Sequence, residues 1–296
     1  MKKLRFVISA IAVSVMALGN SFNTHALDYC GSLTYIVSGN EAVITGYKGS
    51  PEVIDLPSQI DGVPVTEIRE NAFYKCGTLK EIVVPESVSK IGNYAFFECI
   101  SLETAEINAG IPTIPEGVFY GCESLKNISL NTNIISVEDY AFFGCRSIEQ
   151  FDFPVSVTDI GAYSFAGCRG LTDVKLSGKL KNIEPYSFYN CVSLKKINLP
   201  ESLLSIGQYA IGFSDIGVSE TVTVTGISDS IAEYYAESSG LKFKSRIYYE
   251  NSSIINAKTA AGLFGWLAFA IVYALLMYII ILKSRQRKQR IHFNQI

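Results

Sequence analysis

The chain has 296 residues, with 25 Lys and Arg against 28 Asp and Glu and a net charge of −3. This balance offers no basic surface of the kind that phosphate contacts require, so no nucleic-acid partner is expected. Both histidines, His25 and His292, lie near the ends, and the body of the chain has no imidazole for a Ser-His or Cys-His pair.

Residues 1–26 begin Met-Lys-Lys-Leu-Arg, run apolar over 6–19 and reach a small-residue cleavage pattern at Thr24-His25-Ala26. This is the layout of a secretory signal peptide whose apolar stretch is too short to span a bilayer; a retained signal anchor is the alternative. Residues 33–37 and 42–46 flank Ser38-Gly39-Asn40 and predict a β-hairpin that covers the first coil. With a first strand at 53–56, this cap region occupies 27–60. The stretch Ile60-Asp61-Gly62-Val63-Pro64 reads as a five-residue insertion, because Pro57 precedes Pro85 by 28 residues.

Over 61–218 the chain repeats. Phe73, Phe96, Phe119, Phe142, Phe165 and Phe188 are 23 residues apart, and Cys76, Cys99, Cys122, Cys145, Cys168 and Cys191 keep the same step. After each Cys an L-x-x-I-x-L stretch alternates as a half-buried strand should, for example Leu125, Ile128 and Leu130. Pro85, Pro154 and Pro200 close three of these strands. Ile91, Ile114, Val137, Ile160, Ile183 and Ile206 mark the return path, with Gly92, Gly161 and Gly207 at the turn. A strict period in the twenties predicts a solenoid in which each unit buries its apolar face by stacking on the next. The expected fold is a β-rich leucine-rich-repeat solenoid, right-handed, with eight short parallel strands over 53–224. Ile211 and Ser214 stand where the next Phe and Cys would be, so the array ends there.

A C-terminal cap is expected over 219–247, with a strand at 221–224 and a short helix opened by Ser230-x-x-Glu233 and stopped by Gly240. A polar stalk, 248–259, leads to 23 uncharged residues at 260–282, enough for about 34 Å of transmembrane helix. The tail 283–296 carries Lys283, Arg285, Arg287, Lys288 and Arg290. Positive residues stay inside, so the predicted protein is single-pass, with repeats extracellular and C-terminus cytoplasmic. The signal and tail carry +3 and +5, and residues 27–259 therefore carry −11.

Units such as "VPESVSKIGNYAFFECISLETAEI" and "FPVSVTDIGAYSFAGCRGLTDVKL" resemble the BspA-type leucine-rich repeats of bacterial and some protozoan surface proteins. The likeness covers about residues 33–245. It implies the solenoid fold and a surface-binding role, without fixing a ligand.

Six of the seven cysteines share one inward column and are expected as buried thiols, with bridges between adjacent rungs as the alternative. Cys30 stands outside the register. The chain shows no nucleotide-binding, zinc-protease or serine-hydrolase motif, so no enzyme, metal or cofactor is expected. Two surfaces can carry binding. The first is the strand face, with one outward column of Glu81, Thr104, Asn127, Gln150, Asp173 and Lys196. Its second column is Val83, Glu106, Ser129, Asp152, Lys175 and Asn198. An unconstrained solvated face would vary in the same way. The other surface is aromatic: Tyr94, Tyr140, Tyr163, Tyr186 and Tyr209 in one column, and Tyr74, Phe97, Tyr120, Phe143 and Tyr189 in the next. Exposed rings would stack on sugars or dock a protein; rings stacked on each other would only cover the core edge. The function expected is a cell-surface protein binding a protein or polysaccharide ligand, in adhesion or surface recognition. A structural envelope component without a discrete ligand is the alternative.

Overall fold

The computed structural model describes residues 33–246. The signal segment, Cys30, the stalk, the span and the basic tail lie outside the described residues. Among the described residues no helix is long and apolar enough to cross a membrane.

Each coil runs from a front strand through a turn to a two-residue return strand, then round a Phe-bearing corner. The front strands are Val53–Asp55, Glu81–Val84, Thr104–Ile107, Asn127–Leu130, Gln150–Asp152, Asp173–Lys175, Lys196–Asn198 and Thr223–Gly226. These match the eight expected. A ninth, Lys242–Ser245, pairs parallel with Thr223–Gly226 and extends the front face beyond the array. The pairing is in repeat register, with Ile82, Ala105 and Ile128 opposite one another. Alternation puts Ile82 and Val84 inside and leaves Glu81 and Val83 facing outward.

The return path forms a second parallel sheet, unbroken from Thr113–Ile114 through Ser136–Val137, Asp159–Ile160 and Asn182–Ile183 to Ser205–Ile206. Its inward Ile and Val residues are buried from Ile114 to Ile183. A Cβ on Gly161 would stand 2.5 Å from the backbone of Glu138, so this corner leaves no room for a side chain. Close approach, not a positive φ, is what requires glycine here.

The corner holds the core. Phe73, Phe96, Phe119, Phe142, Phe165 and Phe188 are buried and stack on one another with centroids 4.9–5.5 Å apart. Full burial of such a ring contributes about 1.5–3 kcal/mol. Backbone bonds join corner to corner: Phe96 N–H donates to Val118 O at 2.9 Å and Glu98 N–H to Tyr120 O at 2.6 Å. The corner is therefore satisfied without a regular strand.

Leu33–Ser38 and Glu41–Tyr47 form the antiparallel hairpin, turned at Gly39 with φ +61°. The second strand pairs with Val63–Ile68, and Tyr47 stacks on Phe73 at 6.1 Å. The insertion folds as a small hairpin, Gln59–Ile60 against Val63–Ile68, through Asp61-Gly62 at positive φ. At the far end Ile211 bridges Phe188 in place of a ring. The helix is Ile231–Ser238: Ser230 Oγ accepts from Ala232 N–H, and the Glu233 carboxylate takes Asp229 N–H at 2.6 Å. Gly240, φ +70°, follows its end.

Candidate functional site

The strand face presents its two columns at the spacing of the rungs. Glu106, Asn127, Ser129, Gln150, Asp152, Asp173, Lys175, Lys196 and Asn198 are exposed, whereas Glu81, Val83 and Thr104 are half-buried. Asn127 Nδ2 donates to Thr104 Oγ1 at 3.4 Å, and Lys175 Nζ lies 3.8 Å from the Asp152 carboxylate. Beside these columns runs another, Glu52, Lys80, Glu103, Lys126, Glu149, Thr172 and Lys195, whose charges alternate in sign with one neutral rung at Thr172. Lys80 meets Glu52 at 2.8 Å and Lys126 meets Glu103 at 3.7 Å. Stacked like charges would repel, and alternation removes that cost. The alternation is readable in the sequence once the 23-residue columns are aligned.

The face is not one sheet. No ladder joins Asn127–Leu130 to Gln150–Asp152, or Asp173–Lys175 to Lys196–Asn198. The first break coincides with two large inward side chains on one rung. Phe151 and Phe153 fill inward positions held by Ile, Ala, Val or Leu on the other rungs up to Lys196–Asn198; the ninth rung carries a single Phe there, Phe243, and stays paired. Both rings pack edge-on against Phe165, at 4.7 and 5.3 Å, and Phe151 also meets Phe142 edge-on at 5.1 Å. The rung is held away from its neighbour, Ile128 and Leu130 become partly exposed, and a cleft opens between them and Gln150, Asp152 and Pro154. The two Phe residues are the sequence signal for this opening.

The aromatic columns are ladders. Tyr74, Phe97, Tyr120 and Phe143 stack at 4.6–4.9 Å, and Tyr140, Tyr163 and Tyr186 at 4.7–5.1 Å, with the tyrosine planes within 4° of parallel. Each inner ring has both faces covered by its neighbours, so edges and hydroxyls are what meet solvent. Stacking on sugars needs a free face, and the inner rungs offer none. Tyr189 instead turns its hydroxyl to Asp215 at 3.3 Å. Tyr94, Tyr140, Tyr163, Tyr186 and Tyr209 all take φ between +55° and +60°, a conformation that bulky residues rarely adopt. Gly117 holds the same column, and the Tyr94 ring lies over it, in the space its side chain would fill. The Tyr94 hydroxyl donates to the Glu116 carboxylate, which with burial pushes the phenol up to about 12. The ladder stops at Tyr209, where an open groove of about 680 Å³ lies between Leu204, Phe213 and the helix residues Ile231 and Tyr234.

The six column cysteines are buried and unbridged. Burial pushes the Cys191 thiol up to about 12 and raises those of Cys76, Cys122, Cys145 and Cys168 as well. Among the described residues no group of three or more metal-ligating side chains forms.

A family description, BspA type Leucine rich repeat region, matches residues 52–169 and 135–258 in 6 copies. Among solved structures the chain is similar to a leucine-rich-repeat protein of T. pallidum, at 26% identity and a TM-score of 0.54, over 72% of this chain and 95% of that one. It is also similar to a leucine-rich-repeat protein from Bacteroides ovatus, at 22% identity and a TM-score of 0.58, over 77% of this chain and 69% of that one. The second likeness shows the fold alone. No curated protein matches the chain.

Proposed function

The chain belongs to the BspA-type leucine-rich-repeat family, and from that premise we propose that it is a membrane-anchored cell-surface protein that binds a protein or polysaccharide through its strand face. The observation that carries this reading is the contrast between columns. The Phe and Cys columns are buried and nearly invariant, while the outward strand columns are polar, mostly exposed and different on every rung. A rigid array fixes these groups in advance, so little entropy is lost when a ligand binds. The stacked ladders leave the aromatic columns as the poorer surface. Export and anchoring rest on the sequence of 1–26, 260–282 and 283–296. The array supplies no activated nucleophile, so the reading is non-enzymatic.

The test is a glycan and extracellular-protein array probed with the full-length chain in detergent. Charge reversals at Glu106, Asp152 and Asp173 should abolish the signal of any ligand found, and Tyr140→Ala and Tyr163→Ala should not. The opposite pattern would move the site to the ladders.

A further inference from the structure

Resting on the strand face as the binding surface, we infer that its partner is a second copy of this chain, docked face to face and antiparallel. The outward charges of the nine rungs are polarised along the solenoid. The first three rungs present Asp55, Glu81 and Glu106 and no base; the last three present Lys196, Lys242 and Lys244 and no acid. Among the described residues none of the six forms an ion pair within the chain. The flanking column of alternating charges is neutral in sum, so it does not offset this polarity.

The two poles are equidistant from the middle rung, Gln150–Asp152. A half-turn about an axis lying along that rung places the first rung on the ninth and the third on the seventh. Asp55 then meets Lys242 and Lys244, and Glu106 meets Lys196. Each contact occurs twice, as an isologous interface requires. Glu81 falls opposite Thr223, between Lys196 and Lys242 on the adjoining rungs. At the centre Asp152 faces its own copy, but Lys175 stands 3.8 Å from its carboxylate and offsets that repulsion. A parallel docking would set acid on acid and base on base. Eight rung intervals of at least about 4.8 Å, wider where the ladder breaks, make a face no shorter than about 38 Å. Such a contact is governed by charge and ionic strength more than by buried apolar area.

The test is sedimentation of the full-length chain in detergent at about 20 mM and about 500 mM salt, where the screening length falls several-fold. We expect a dimer at low salt that dissociates at high salt. The pair Lys196→Glu with Lys242→Glu should raise the dimer Kd at least about tenfold, and so should Glu81→Lys with Glu106→Lys. Mixing the two reversed variants should restore a dimer with one copy of each, which also shows that both fold. A wild type that stays monomeric at low salt overturns the inference. So does self-association retained by both reversed variants, or failure of the mixture to recover. If the chain stays monomeric while array binding is lost on strand-face reversal, the binding face stands and only the second copy is excluded.

Discussion

The thiol of Cys122 donates to the backbone carbonyl of Phe96 on the preceding coil, 3.1 Å away. The same bond runs from Cys99 to Phe73, Cys145 to Phe119, Cys168 to Phe142 and Cys191 to Phe165. The Phe96 carbonyl also takes Cys99 N–H at 3.3 Å, so its second lone pair is what the next thiol uses. Cysteine suits the column because it is small, apolar and carries one weak donor. A bridge between neighbouring rungs would remove two such bonds at once.

Thiol chemistry is set by that burial. The six column thiols, Cys76 to Cys191, should resist thiol reagents until the protein is denatured, because the reactive form is the thiolate. Burial raises the thiols of Cys122, Cys145, Cys168 and Cys191 above their ordinary value of 9.0. Above that value the unfolded chain loses protons that the folded chain keeps. Stability contributed by these groups is therefore full below pH 9 and falls as pH rises, for Cys191 up to about 12. Each thiol should steepen the fall by about 1.4 kcal/mol per pH unit. Denaturant melts between pH 7 and 11 read this directly; a flat profile would mean the thiols are solvated or bridged.

Phe119 is stacked at 5.4 Å on Phe96 and at 5.5 Å on Phe142. Phe119→Ala should cost about 3–5 kcal/mol, the range for emptying a large core site. A thermal melt of the purified variant measures it, and an unchanged midpoint would contradict the continuous core.

The glycines divide by neighbourhood. A Cβ on Gly161 would press on the backbone of Glu138 at 2.5 Å, whereas one on Gly178 would meet nothing within 4 Å. Gly161→Ala should cost about 1–3 kcal/mol because backbone on both coils has to move. Gly178→Ala should be neutral or stabilise by up to about 1 kcal/mol. Equal midpoints for the two variants would show that the coils separate more easily than this packing allows.

The coil plan was legible because one period fixes everything that depends on stacking. Phe, Cys and Leu columns recur every 23 residues, and residues so spaced must share one environment. The return strands were harder to see. Two residues such as Asp159–Ile160 leave no alternation to detect, and only pairing with Ser136–Val137 makes them a strand. The ladder geometry of Tyr140 and Tyr163 was not readable either, because ring orientation is set by the positive φ of that corner. For the candidate site, the outward columns came from alternation alone. Their polarity emerges only when Lys242–Ser245, outside the repeat period, is placed as the ninth rung.

The break in the strand face makes the last prediction. In the paired rungs the amides of Ala105 and Ile107 lie within the ladder to Asn127–Leu130. By the same pattern the amides of Ile128 and Leu130 would donate to Gln150–Asp152, but no ladder forms there. Hydrogen exchange at Ile128 and Leu130 should therefore be at least about a hundredfold faster than at Ala105 and Ile107, since protection tracks hydrogen bonding and burial. Phe151 and Phe153 are the two large inward side chains at this break, and if their bulk is the wedge, replacing them by the smaller residues of other coils closes the gap. Phe151→Val with Phe153→Ile should slow exchange at both amides toward that of their neighbours. It should also lower stability, because two edge-on ring contacts with Phe165 disappear. If exchange is unchanged while the protein stays folded, ring volume is not the wedge, and the opening belongs to the backbone path of that coil.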